Sequence, residues 1–505
     1  MWISLVYLCL YWAFFLLLGL LLVVFLAYCA YVKYIHMKYD HIPGPPRDSF
    51  ILGHSSFVVK ASDNYKVMHD LFLRWAEEYG PVYRTNFLHH VLLTCTSPDS
   101  IKEYLMSPTC PKDPYAYNRL FYLFGKRFLG KGLLTNPDHN QWYKQRRIMD
   151  PAFSHKYLME MIGVFNERAE QLMEQLAEKA DGKQQVSLHA AINRVTLDVI
   201  TKVAFGLELG LVEGNKTAFP NAISLVLKGM IDYMKNPFME YMPKHWSFIR
   251  QVQESADLLR KTGRKCIMQR KQAMLNGEEL PKDILTKILQ CAEQENGLDD
   301  EIMLDNFITF FIAGQETTAN QLSFTVMELT RQPEITRRLR AELDEVIGFK
   351  RDISFDDIAN LTYMTQVLKE SLRIYPPAPG TSRYIKDDDV IEGIRIPGGV
   401  SVNLNTYIMG RMDKFFPDPF KFDPERFHPS APKPYYCYFP FALGPRSCLG
   451  QVFSQLEAKV VLGKLLQRFE FELVPGQSYE IMDTGTLRPR DGVVCTLRPR
   501  ETASQ

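Results

Sequence analysis

Cys448 sits in the stretch FALGPRSCLG, Phe441–Gly450, framed by Gly444, Arg446 and Gly450. The run that follows, LGQVFSQLEAKVVLGKLLQRF, has the periodicity of an amphipathic helix. The cysteine is therefore expected at a helix N-terminus, where free N–H groups and the dipole favour a thiolate. The two glycines remove side chains where something large and flat must approach, and Arg446 offers a cation. A thiolate, bare backbone and a cation together fit a haem, with Cys448 on the iron and Arg446 on a propionate. A buried structural cysteine is the usual fate of a lone Cys. It would explain neither the glycines nor the arginine.

A second constellation lies in ITFFIAGQETTANQLSFTVMELTRQP. A helix is expected from Asp299 to Arg331, stopped before Pro333; at ~1.5 Å per residue it is roughly 50 Å long. Phe307 to Ala313 is apolar, and then Gly314, Gln315, Glu316, Thr317 and Thr318 break in. Close helix packing would explain Gly314, but not Glu316 and Thr317 together. A carboxyl beside a hydroxyl in an apolar wall suits proton delivery to a bound ligand.

Three further segments carry charge in significant places. In VLKESLRIYPPAPGTSRYI, Glu370 and Arg373 are three apart and share a helix face; as a surface pair they would contribute little. Pro376 and Pro377 end that helix, and Arg383 lies in the extended stretch beyond. In FDPERFHPS, Arg426 either joins the Glu370–Arg373 pair or is a solvated loop charge. GKRFLGKG, Gly125 to Gly132, looks like a phosphate loop, but Gly132 stands where a Ser or Thr should hold magnesium. Nucleotide binding is not expected there.

The elements that must position these groups follow from the remaining sequence. The chain has 505 residues, 46% hydrophobic and 23% charged, with a net charge of +1. That balance gives no electrostatic ground for nucleic acid. Nine cysteines, odd in number and widely spaced without a CxxC, argue against a disulfide framework or zinc and for a reducing compartment. The first 32 residues carry no charged side chain, long enough for a transmembrane anchor. Trp2, Tyr7, Tyr28 and Tyr31 mark its flanks. Lys33, His36, Lys38 and Arg47 put the following side in the cytosol. Residues 33–54 form a basic, proline-rich linker with Pro43, Pro45 and Pro46. Strands are expected near 81–87, 90–95 and 389–406, and a long helical stretch from about 140 to 290. The His89–His90 pair should point to opposite faces, so metal is not expected. No linker divides residues 55–505. The fold class is mainly α with small β-sheets, as one large domain.

These motifs resemble the cytochrome P450 family. FALGPRSCLG fits its haem signature F-x-x-G-x-R-x-C-x-G at all five defined positions, and AGQETT fits its oxygen-activation motif. ESLR, PERF and WYKQR (Trp142–Arg146) fit three more, in the right order. The resemblance implies haem b with Cys448 as axial iron ligand, and Trp142, Arg146, Arg383 and Arg446 on the propionates. It implies Thr317 and Glu316 as catalytic proton handlers. Glu370, Arg373 and Arg426 would form a structural network behind the haem.

YDHIPGPPRDSFILGH, DNFITFFIAGQETTAN, TYIMGRMD and LLQRFEFELVPGQ further resemble the cholesterol 24-hydroxylases of that family. This implies a single-pass endoplasmic reticulum enzyme with a cytosolic catalytic domain. It would be fed by NADPH–cytochrome P450 reductase and hydroxylate cholesterol at C24; another steroid or lipid is the alternative. Pro379 stands where those enzymes carry Trp and Gln315 where they carry His, and Tyr115–Phe124 also differs. By position, Leu88, Tyr117, Leu120, Ala313, Pro379, Gly380, Gly485 and Thr486 would line the substrate cavity. Tyr233–Ile249, rich in aromatics and Met, would touch the membrane. Lys144, Arg147 and Lys433 would form part of the reductase-docking face. A haem-thiolate isomerase needing no reductase, and a haem or sterol sensor, are the competing readings; neither has use for Glu316–Thr317.

Overall fold

The computed structural model describes residues 2–57, 67–236, 238–295 and 297–501. The apolar N-terminal run forms one helix, α1 (Trp2–Tyr39). It is the one helix among the described residues long and apolar enough to cross a membrane. It does not stop at residue 32. Its last turns are amphipathic and dock on the body: Val32, His36 and Tyr39 are buried. Lys38 Nζ and Tyr39 Oη donate to the Gly398 carbonyl at 2.8 and 3.1 Å.

The proline segment is docked too. Pro43 O accepts from Arg84 N at 2.8 Å, and Pro45 O lies 3.0 Å from His54 Nε2. A Cβ on Gly44 would collide with the Arg84 carbonyl. The 33–54 segment is therefore helix up to Tyr39 and strapped coil beyond it.

The expected 140–290 helical stretch is a series of helices broken by a strand. Its members used below are α2 (His139–Met149), α3 (Leu188–Phe205), α4 (Phe219–Lys235) and α5 (Trp246–Leu275). The break is β3 (Gln185–Ser187), which follows an Asp181–Gly182 turn. The central helix α6 (Asp300–Leu329) starts where the Asp299 side chain accepts from the Glu301 and Ile302 N–H groups, satisfying donors the helix cannot. Its flanks are buried all round. Gly314 allows α3 close approach: a Cβ there would lie 2.7 Å from Ile200 Cδ1. Helix α7 (Thr362–Ile374) and helix α8 (Gln451–Arg468) pack against α6 from other sides.

Strands β1 (Val82–Phe87) and β2 (His90–Cys95) form the expected hairpin. They continue into β4 (Gly380–Ile385) and β5 (Val400–Asn405), in the order β1-β2-β5-β4. The His89 and His90 rings do not diverge. Leu88 has φ 58°, so His89 belongs to the turn, and the two rings lie against each other with centroids 4.0 Å apart and planes tilted by 39°. The C-terminal part adds β6 (Phe469–Leu473), the hairpin β7 (Ile481–Asp483) and β8 (Leu487–Pro489), and β9 (Val494–Pro499). Helices thus dominate, with small sheets at the edges.

Candidate functional site

The Cys448 loop is held by short backbone bonds. Cys448 N donates to Phe441 O at 2.8 Å and Ser447 N to Gly444 O at 3.0 Å. Gly450 caps α8, and a Cβ there would meet only the Cys448 sulfur at 4.0 Å, so this glycine does keep the space beside the thiol open. Gly444 has another reason. Its φ is +68° and a Cβ would strike the Leu105 carbonyl, so it serves chain packing rather than a ligand. Burial pushes the Cys448 thiol up, against the Gly450 backbone N–H and Arg146, which pull it down. The helix terminus alone does not make this thiol acidic.

Cys448 is nonetheless exposed. A thiol both desolvated and exposed lines a void enclosed by protein. Ala313 is exposed as well, in mid-α6 between the buried Ile312 and Gln315. Ala378 and Gly380 are exposed beyond Pro377. Ala313 on α6, Cys448 before α8 and Gly380 at the start of β4 are thus each exposed.

A cluster of cations accompanies it. Lys112 is bridged to Arg383 in an isolated β-pairing. Lys112, at 6% exposure, donates to Tyr117 Oη at 3.0 Å and Thr381 Oγ1 at 3.3 Å. Arg383, at 1%, donates to Thr381 Oγ1 and Ser382 O. Arg446 donates to Asn136 O at 2.8 Å, its guanidinium 4.1 Å from the buried Trp142 ring. None of the three pairs with a carboxylate among the described residues. Burial and Arg383 hold the Arg446 guanidinium down to about 10. Burial lowers Lys112, with Arg383 and Arg446 adding repulsion. Burial raises the Tyr117 phenol, but Lys112, Thr381 and Arg383 outweigh it and bring it down to about 8. Unpaired buried cations are costly. A group bearing two carboxylates and placed beside Cys448 would relieve that cost, which is the chemistry of a haem and its propionates. Arg146, on α2 with Trp142, is already committed to Ser447 O at 2.7 Å and Asp150 at 2.6 Å.

Glu370 and Arg373 are not a surface pair. Both are fully buried, joined at 2.7 and 2.8 Å. Arg373 also donates to the carbonyls of Gly410, Pro419 and Lys421. Arg426 Nε lies 3.5 Å from Glu370, so it joins this network.

On α6, Thr317 Oγ1 donates to Ala313 O at 2.9 Å, one turn back. Glu316 accepts from Thr486 Oγ1 at 3.0 Å. Burial pushes its carboxyl up to about 7, against Thr486 and Arg488. Gln315 donates to Asn193, whose amide reaches the buried His189; burial and Arg488 hold that ring down at about 4.

Of the expected cavity residues, Tyr117 and Gly380 meet around Thr381 (Tyr117 Oη to Thr381 Oγ1, 3.0 Å). Gly485 and Thr486 form the β7–β8 tip, and Leu487 N donates to Pro377 O at 2.9 Å. Leu120 is packed on the core. Leu88 sits at the β1–β2 turn beside His89, which meets Tyr28 and Tyr31 of α1. Lys112 is the cluster member that the sequence did not announce. The near-phosphate loop is an anion cradle, but its anion is internal: Arg127 and Lys131 N bind Asp305 of α6.

The cytochrome P450 family profile matches residues 43–497. The chain belongs to the cytochrome P450 family. Among its relatives are cytochrome P450 4d2 of Drosophila melanogaster, 29% identical over 91% of this chain and 94% of that protein, and cytochrome P450 4B1 of Rattus norvegicus, 28% identical over 92% and 91%. The Arabidopsis thaliana protein LUTEIN DEFICIENT 5, chloroplastic, is 30% identical over 86% and 74%. As a cytochrome P450 this protein is a monooxygenase with haem b as cofactor, and the residues just described fit that group. Bound haem supplies reductive activation of dioxygen and insertion of one oxygen atom into a C–H bond. Members of the family generally draw electrons from NADPH–cytochrome P450 reductase and associate with membranes.

Proposed function

We propose that this cytochrome P450 hydroxylates a lipid that enters its cavity from the bilayer. Cys448 holds the iron. Lys112, Arg383, Arg446 and the Arg446-stacked Trp142 hold the propionates, with Arg146 bracing the Cys448 loop. Glu316 takes up protons at its carboxyl and Thr317 Oγ1 presents them to the cavity. Glu370, Arg373 and Arg426 keep the loops beyond α7 in place.

The observation that carries the lipid reading is the continuity of α4 with an exposed apolar patch. Met230 and Ile231 of α4 touch the β7–β8 tip. Immediately beyond α4, Phe238, Tyr241 and Trp246 are 55%, 75% and 58% exposed. An exposed aromatic patch of this kind favours a membrane interface over water. With α1 as a single-pass endoplasmic reticulum anchor and the domain in the cytosol, it gives an apolar substrate a direct entry. Cholesterol hydroxylated at C24 is a second reading, supported by the segments from Tyr39 onward that resemble the 24-hydroxylases. Pro379 weighs against it, because it leaves one cavity wall without a large aromatic ring.

The test is turnover of the full-length, haem-loaded protein with reductase and NADPH. Cholesterol, other steroids and long-chain lipids are offered together, and products are identified by mass spectrometry. A hydroxylated lipid is expected. 24-Hydroxycholesterol alone would select the second reading, and NADPH oxidation with no oxygenated lipid would overturn both.

A further inference from the structure

We propose that Thr486 is a positioning residue that aims the Glu316 carboxyl, and that through it the β7–β8 tip couples cavity contents to proton delivery. This rests on the lipid-hydroxylation reading above, in which Glu316 handles protons. The residues are 170 positions apart, and the link is a single bond: Thr486 Oγ1 donates to Glu316 Oε2 at 3.0 Å. That hydroxyl is the one side-chain hydrogen-bond partner of Glu316 among the described residues.

The same hydroxyl is held from the other side. Asn320 Nδ2 donates to the same Thr486 Oγ1 at 2.9 Å. Asn320 is one turn beyond Glu316 on α6. An ionised carboxylate carries no hydrogen, so between the two the Thr486 hydroxyl is the donor, while one of its two lone pairs accepts from the amide. A hydroxyl donating to a carboxylate favours the ionised form, consistent with the downward pull of Thr486 on a group that burial raises. Two other titratable or charged groups bear on this corner. Arg488 on β8 acts directly on Glu316. From α3, His189 reaches the neighbouring Gln315 through Asn193.

The tip that carries Thr486 is built to feel its neighbours. Gly485 has φ +103°, and a Cβ there would sit 3.1 Å from Met230 Cε of α4. Gly485 N donates to Asp483 Oδ1 at 3.0 Å, and Leu487 N to Pro377 O at 2.9 Å. Three walls, α4, the Pro376–Gly380 segment and α6, therefore meet at one turn. A molecule that displaces α4 or that segment moves the donor that sets Glu316.

The experiment is an infrared titration of the full-length, haem-loaded protein, with the Glu316 band assigned by its loss in Glu316→Gln. The parent midpoint is expected near about 7. Thr486→Val deletes the donor at nearly constant volume and moves the midpoint up; Thr486→Ala does the same. Thr486→Ser keeps the hydroxyl and the parent midpoint. In turnover, Thr486→Val lowers product formed per NADPH roughly ten-fold, a part of the ~10²–10⁴ that general acid–base catalysis supplies, and Thr486→Ser restores it. Identical midpoints in parent, Val and Ala variants overturn the proposal. A shifted midpoint in a protein that oxygenates no lipid leaves this link standing and removes the lipid-hydroxylation reading instead.

Discussion

Arg373 and Glu370 make a two-pronged ion pair, 2.7 and 2.8 Å, with both side chains fully excluded from solvent. Removing one partner leaves the other charged and buried, which costs about 3–5 kcal/mol. Arg373→Ala is expected to yield little folded, haem-retaining protein. Arg373→Lys should fare nearly as badly, because an ammonium cannot replace a planar fork that also reaches three carbonyls. Soluble yield and thermal melting check this; a parent-like melt for Arg373→Ala would refute it.

Lys112 should separate haem retention from stability. It is buried without a carboxylate partner among the described residues, so Lys112→Met removes a costly charge from the haem-free state. The haem-free protein is expected to melt at the same or a higher temperature. The holoprotein loses a charge-assisted contact worth about 1.5–3 kcal/mol. Haem transfer to an acceptor protein should then be roughly 10- to 100-fold faster.

Glu457 of α8 is fully buried, and among the described residues no group lies at good hydrogen-bond geometry to either of its oxygens. The hydroxyl of Thr318 is nearby, but burial dominates and raises the carboxyl well above the ordinary 4.5. Below about pH 4.5 folded and unfolded chains both keep this proton. Above it the unfolded chain releases the proton while the folded one holds it, so this contribution is lost as pH rises, by about 1.4 kcal/mol per unit, until the folded group ionises. Glu457→Gln is expected to flatten that part of the melting-temperature curve and to stabilise the protein above neutral pH. Melts from pH 5 to 9 measure it.

Lys144 is exposed on α2, two residues after Trp142, while Arg147 is already paired with Glu295. Lys144→Glu should raise the KM for reductase several-fold at low salt, with kcat at saturating reductase unchanged. The effect should fade as salt screens it. A KM equal to the parent's would remove Lys144 from the docking face.

Much of the site was legible because local chemistry announced it. Asp299 and Pro333 bracket α6, the Cys448 loop stands just before α8, and the Glu370–Arg373 spacing gives an ion pair, each readable within a few residues. What stayed hidden depends on distant partners. Lys112 looks like any surface lysine until its segment pairs with Arg383. Gly444 reads as ligand space until Leu105 arrives beside it. Asp305 makes sense of the Gly125–Gly132 loop only when both are folded. The helical periodicity of 140–290 concealed β3, whose three residues find their partners in β9, some 300 positions later. The extension of α1 to Tyr39 was missed because charged residues beginning at Lys33 end a hydrophobic span without ending a helix.

The strapping of α1 and the proline segment to the body removes a freedom that a flexible tether would leave. Lys38 and Tyr39 share the Gly398 carbonyl, and Pro43 and Pro45 are tied to the Arg84–His54 corner. Helix and domain therefore turn together, as a mast turns with its hull. The heading of the catalytic body relative to the axis of α1 is inherited from two short turns of chain rather than sampled by diffusion. Lengthening that joint by a few glycines would leave every catalytic atom in place and yet unmoor the cavity mouth from the plane that α1 defines.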